Sequence, residues 1–128
     1  ASLKEVIITG GSLIDEYAFY KCENIEFVKI AKTITILRHQ AFRGCKSLKE
    51  VIFEKDSTLT QIANFVFYEC DNFEKITIPK SVTIIENAAF VLCKNLTIYC
   101  EVAKRPSGWD KLWVFSSSSV VWDCLNTN

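Results

Sequence analysis

An excess of charge of either sign is missing from this sequence: 15 Lys plus Arg face 15 Asp plus Glu, for a formal net charge of zero. A general nucleic-acid binder needs a basic stripe against the phosphates, so that class is not expected. No apolar run reaches bilayer length, so no membrane insertion is expected either. The first residues already follow the internal pattern described below, which is not that of a signal peptide. Histidine occurs once, as His39 in a loop segment, with no serine or cysteine partner in a motif. A Cys-His nucleophile is therefore not expected. Glycine-rich phosphate loops and paired-carboxylate motifs are absent too, and no window supports a long helix. Nothing nominates a catalytic, cofactor-binding or metal-binding residue, and the chain is not expected to be an enzyme.

What is present is a repeat. Ala18-Phe19-Tyr20-Lys21-Cys22 returns as Ala41-Phe42-Arg43-Gly44-Cys45, as Val66-Phe67-Tyr68-Glu69-Cys70 and as Ala89-Phe90-Val91-Leu92-Cys93. The Phe-to-Phe spacings are 23, 25 and 23 residues. A fixed period in the twenties marks a solenoid, in which one unit cannot bury its apolar face alone and stacks on its neighbours. Aligned on the Phe, five segments alternate with period 2, the signature of a strand with one buried face. They are Leu3-x-x-Val6-x-Ile8, Ile25-x-x-Val28-x-Ile30, Leu48-x-x-Val51-x-Phe53, Phe73-x-x-Ile76-x-Ile78 and a degenerate Leu96-x-x-Tyr99. Copy one is a residue short near Gly10-Gly11 and copy three carries two extra residues within Glu54 to Thr58, both in loops. Past Cys100 the repeat stops, and Trp109, Trp113 and Trp122 around the polar run Ser116 to Ser119 read as a cover for the last coil. The expected organisation is a single domain over 1–128, with repeats over 1–100 and a C-terminal cap over 101–128. The chain begins and ends abruptly, which reads as a fragment or mature form of something longer.

The four repeat cysteines read as buried structural thiols. Equivalent atoms of stacked coils lie about 4.7–4.9 Å apart. A tetrahedral zinc site needs each sulfur about 2.3 Å from the metal. Parallel side-chain directions also suit a disulfide badly. Cys100 and Cys124 fall outside this ladder, and a bridge between them is left open.

The order Leu-x-x-Val-x-Ile, Pro-x-Ser-Val-Thr-x-Ile, Ala-Phe-x-x-Cys-x-x-Leu resembles the BspA-like class of leucine-rich repeats, most fully from Phe73 through Cys93. Tyr99-Cys100-Glu101, Pro106-Ser107-Gly108-Trp109, Trp113 and Val121-Trp122 resemble the closing segment of bacterial members. Ala31 stands where Pro is usual. The resemblance implies a β-rich α/β repeat fold, a right-handed leucine-rich-repeat solenoid of four to five coils with a Trp-rich C-terminal cap. It also implies an extracellular or cell-surface location and an adhesin- or receptor-type role, several members binding host matrix proteins.

If Val6, Val28, Val51 and Ile76 point inward, their neighbours point out. That exposes Glu5 and Ile7, Phe27 and Lys29, Glu50 and Ile52, Lys75 and Thr77. Ile7, Phe27 and Ile52 are apolar where solvent is expected, flanked by Lys29, Glu50 and Lys75. Such a patch on the concave strand face is the candidate protein-binding site of a monomeric binding module. The opposing readings are that β-branched and aromatic residues simply favour strands, and that the chain is a structural spacer of a longer repeat array with no ligand of its own.

Overall fold

The computed structural model describes residues 4–115 and 118–125. Leu3, Ser116 and Ser117 of the patterns above lie outside them. The chain winds through about five turns; each contributes a long strand, and the first four also contribute a short one. The long strands are β1 (Glu5–Ile8), β3 (Phe27–Ile30), β5 (Glu50–Phe53), β7 (Lys75–Ile78) and β9 (Thr97–Cys100). The short ones are β2 (Leu13–Ile14), β4 (Ile36–Leu37), β6 (Gln61–Ile62) and β8 (Ile84–Ile85), and β10 (Ser119–Val121) closes the series. All pairings are parallel. They form a six-stranded sheet ordered β1-β3-β5-β7-β9-β10 and a four-stranded sheet ordered β2-β4-β6-β8.

The period-2 pattern sets the register. Val6, Val28, Val51, Ile76 and Ile98 are successive partners on one inward rung. Ile14, Leu37, Ile62 and Ile85 form the matching rung of the short sheet. Between the sheets stands the phenylalanine ladder. Phe19, Phe42, Phe67 and Phe90 stack with centroids 5.1, 5.5 and 5.1 Å apart and planes within 14° of parallel. Among the described residues no polar or charged side chain is buried in this core.

No helix forms among the described residues, and the turn around each Phe shows why. Alternate N–H groups bond within the turn, as Ala18 to Asp15, Tyr20 to Tyr17 and Cys22 to Phe19. Those between them bond to the next coil, as Tyr17 to His39, Phe19 to Ala41 and Lys21 to Arg43. A helix would need every N–H for its own ladder. The alternation places two residues per turn in the left-handed region. One position holds Tyr17, Gln40, Phe65 and Ala88, with φ of 58–59°; the other holds Lys21, Gly44, Glu69 and Leu92, with φ of 54–74°. Non-glycine residues cost roughly 1–2 kcal/mol there. Leu92, exposed and at φ 60°, stands where coil two has Gly44. Leu92→Gly is therefore expected to stabilise by up to about 1 kcal/mol, offset in part by glycine's larger unfolded-state entropy. Thermal melting checks it: an upward shift of a few degrees is expected, and a downward shift contradicts it.

Two features differ from the sequence pattern. The fifth strand is not Leu96-x-x-Tyr99: Leu96, Ile98 and Cys100 alternate inward and buried, while Tyr99 pairs with Thr77 and is half-buried on the outer face. This copy is one residue shorter before its strand, so the apolar set is met at period 2 one position earlier. Beyond Cys100, moreover, the winding continues although the repeat residues do not. Trp109 bridges to Ile85, Val114 to Phe90, and β10 pairs with β9. Trp109 is fully buried and donates its indole N–H to the Val82 carbonyl at 3.1 Å, while Trp113 meets Phe90 edge-on. Trp122 packs against both other tryptophans. Gly108 permits the approach, since a Cβ there would meet the Thr83 carbonyl oxygen at 2.1 Å.

Candidate functional site

The outer face of the six-stranded sheet is built from residues whose neighbours are pulled inward by the core. One column runs Glu5, Phe27, Glu50, Lys75, Thr97; its neighbour contains Ile7, Lys29 and Ile52. Ile7, Phe27 and Ile52 are exposed by 56, 38 and 39%, as the alternation requires. They do not form one straight stripe. Lys29 sits between Ile7 and Ile52 in their column, and Phe27 occupies the adjacent column between Glu5 and Glu50. The result is an apolar triangle around one ammonium group.

The charges are not equivalent. Lys75 Nζ lies 3.7 Å from Glu50 Oε2, across neighbouring strands, so this pair largely neutralises itself. The Lys29 side chain makes no hydrogen bond or ion pair among the described residues, and it is the cation of the patch left to meet an incoming carboxylate. Ile7, Lys29 and Ile52 also line a cleft of about 270 Å³ whose far wall is Ala31 and Glu54. A second cleft of about 470 Å³ follows along the sheet edge, between Glu54 to Ser57 and Pro79, Lys80, Glu101 and Leu125. The two extra residues of copy three thus build a wall, held where the Lys32 N–H donates to Glu54 Oε1 at 2.9 Å. The sequence marked the insertion as a tolerated loop and missed this. It also misses the second apolar group on this face, Tyr99 beside Val121, because the pattern Leu96-x-x-Tyr99 puts Tyr99 at an inward position.

The cysteines take structural places. All six are free thiols, including Cys100 and Cys124, whose backbones meet where the Cys124 N–H donates to the Cys100 carbonyl at 2.9 Å. Cys45, Cys70 and Cys93 each donate Sγ–H to the carbonyl of the Phe one coil earlier, at 3.1, 3.2 and 3.0 Å. Burial therefore comes with a weak donor that a purely apolar filler lacks. Cys22 differs from the other three: no coil covers it among the described residues, and it is only half-buried. Desolvation pushes the thiols of Cys45, Cys93 and Cys100 up to about 12 from the ordinary 9.0, and that of Cys70 well above 9.0. Native thiol labelling read by mass spectrometry should modify Cys22 and Cys124 first and reach the other four only on unfolding. Rapid native labelling of Cys45 or Cys70 contradicts this. Below pH 9 both folded and unfolded chains keep these protons. Between about pH 9 and 12 the unfolded chain releases protons that the fold retains, so stability should fall steadily across that window.

His39 faces Asn64 Oδ1 through Nδ1, with Glu86 Oε1 at 4.0 Å, and no thiol or hydroxyl joins it among the described residues. No cluster of three or more His, Cys, Asp or Glu side chains suited to a metal occurs among the described residues. No helix among them is long and apolar enough to cross a membrane.

Residues 12–101 match the model of the BspA type leucine rich repeat region, in six copies. No curated protein matches the chain. Two solved structures share the fold. A leucine-rich repeat protein of T. pallidum aligns with TM-score 0.52 and 20% identity, over 77% of this chain and 59% of its own. A leucine-rich cell surface protein of Faecalibacterium prausnitzii A2-165 aligns with TM-score 0.52 and 20% identity, over 79% of this chain and 39% of its own. The chain therefore spans less than two thirds of either structure's length.

Proposed function

Because this chain belongs to the BspA-type leucine-rich repeat family, whose fold is typically non-enzymatic, we propose that it is a protein-binding module acting at the cell surface or after secretion. The partner docks on the outer face of the six-stranded sheet. The observation that carries this reading is the apolar triangle of Ile7, Phe27 and Ile52, exposed around Lys29. A solenoid presents such a face on rigid, hydrogen-bonded strands, so little ordering is needed on binding. An aromatic anchor with aliphatic neighbours is common hot-spot chemistry, and an unpaired Lys at its centre selects a partner with a carboxylate there. Glu50 and Lys75, paired with each other, contribute orientation more than strength. The name of the Faecalibacterium structure supports the surface location by analogy alone. Phe27→Ala with Ile52→Ser, confirmed as folded by circular dichroism, should weaken binding of a partner isolated by affinity capture by about 2 kcal/mol or more. Unchanged affinity in that double variant removes this face as the site.

A further inference from the structure

The cleft that Ile7, Lys29 and Ile52 share with Ala31 and Glu54 falls where the repeat is least regular. The link from long strand to short strand has one length in coils two and four. It is a residue shorter in coil one, at Gly10-Gly11, and two residues longer in coil three. Coil two also holds Ala31 where coil four has Pro79. Core packing requires none of these departures, and local exceptions to a pattern are expected where a chain functions. Together they shape one site. Thr9, Ala31 and Glu54 directly follow β1, β3 and β5, and the ladder carries on through them. The Ala31 N–H donates to the Ile8 carbonyl and the Glu54 N–H to that of Ile30, each at 2.9 Å. Six outward side chains therefore form a grid, with Ile7, Lys29 and Ile52 in one column and Thr9, Ala31 and Glu54 in the next. Neighbours stand about 4.8 Å apart across the strands and about 6.6 Å apart along them. Ala31, the smallest of the six, is the pit, and Ile8 and Ile30 complete the lining. The volume of about 270 Å³ lies under the ~300–1,000 Å³ of drug-sized pockets, so the occupant is about one residue in size.

We infer that this cleft binds a free α-amino acid with an aliphatic side chain, a ligand distinct from the protein partner proposed above. Charge and direction select it. Lys29 and Glu54 pair neither with each other nor with another charged group among the described residues. Glu54 is held in place by the Lys32 N–H on Oε1, which leaves Oε2 open. A ligand bridging the two carries a carboxylate for Lys29 and a cation for Glu54, with an apolar body between them. From Ala31 the two charges lie in different directions, Lys29 along its own strand and Glu54 across on the next. The α-carboxylate and α-ammonium of an amino acid diverge in the same way from the carbon that bears the side chain. An extended peptide does not match this: beside a side chain seated on the sheet, its neighbours on either side point away. A helix about 10–12 Å across does not enter a pit one residue wide. Seated over Ala31, an aliphatic side chain meets the exposed Ile7 and Ile52, and apolar surface leaves water on both sides of the contact.

The test is heteronuclear NMR of the isotopically labelled whole chain, titrated with leucine, glycine, leucinamide and N-acetylleucine. Leucine should shift the amides of Thr9, Ala31 and Glu54 saturably. Glycine, which lacks the side chain, should bind about tenfold more weakly or worse. Leucinamide and N-acetylleucine, each lacking one charge, should bind at least about threefold more weakly. Lys29→Gln and Glu54→Gln, both at exposed positions, should weaken leucine to a similar degree. Ala31→Leu keeps the N–H that bonds to Ile8 and should abolish leucine binding by filling the pit. Leucinamide binding as tightly as leucine would mean a peptide N-terminus, N-acetylleucine doing so a peptide C-terminus, and either overturns the inference. So does leucine that produces no saturable shift, binds no better than glycine, or binds unchanged to the Gln variants or to Ala31→Leu. Phe27→Ala lies outside the cleft and should leave leucine binding unchanged while weakening a captured protein partner, so this inference and the proposed function fail separately.

Discussion

Phe67→Ala is expected to destabilise the protein by about 3–5 kcal/mol. Phe67 is fully buried. Its ring lies 5.5 Å from Phe42 and 5.1 Å from both Phe90 and Phe73, measured between centroids. Two parallel sheets fix the distance between coils, so the walls cannot close on the space left behind. Its carbonyl also accepts the Cys93 thiol, and a shift of this turn to fill the void would strain that contact. Urea titration followed by circular dichroism should show a lower midpoint at unchanged slope. Phe19→Ala supplies the internal comparison. Phe19 is only half-buried in the first coil, so the same truncation should cost clearly less there. Equal losses at the two positions would mean that ladder packing is not what stabilises the solenoid.

Deleting the chain after Arg105 is the second large effect. Trp109 and Trp113 are 0 and 3% exposed, and the surfaces that bury them are Val82, Ile85 and Phe90 of the last complete coil. Without the tail those side chains, and the outer edge of β9, would face water. An uncovered parallel edge above an apolar face is a template for association. The shortened chain should form aggregates on size-exclusion chromatography and lose its cooperative melt. A monomer with an unchanged melting temperature would show that the tail covers nothing essential.

The parts of this architecture legible in the sequence are those set by strict periodicity. The inward rungs from Val28 to Ile76 and the Phe ladder follow from alternation alone, because one slip would turn every apolar side chain to the wrong face. Where the period breaks, pattern matching misplaced residues. Tyr99 was assigned inward because the spacing from Leu96 was held constant, yet the chain shortened by one residue and put Ile98 and Cys100 inside. The turn beyond Cys100 was hidden for a related reason. Trp109 fills the place that Ile85 holds one coil earlier, so the position stays apolar and buried while the residue type and size change. The candidate site was legible in part. Alternation exposed Ile7, Phe27 and Ile52, but only the register revealed that Lys29 lies among them and that Glu50 and Lys75 neutralise each other. The left-handed positions of the turns were not legible either, since residues such as Tyr17 and Phe65 hold them, which no propensity favours.

The most direct measurement of the binding claim is photo-crosslinking from the sheet face. Phe27 would be replaced by benzoylphenylalanine in the full chain, which would then be irradiated in the presence of extracellular protein from the environment where the protein acts. The account predicts one discrete polypeptide adduct at position 27, lost when Ile7→Asp and Ile52→Asp are added to a chain that still folds. An adduct that survives both aspartates, or none from position 27 while a partner still binds, would contradict it.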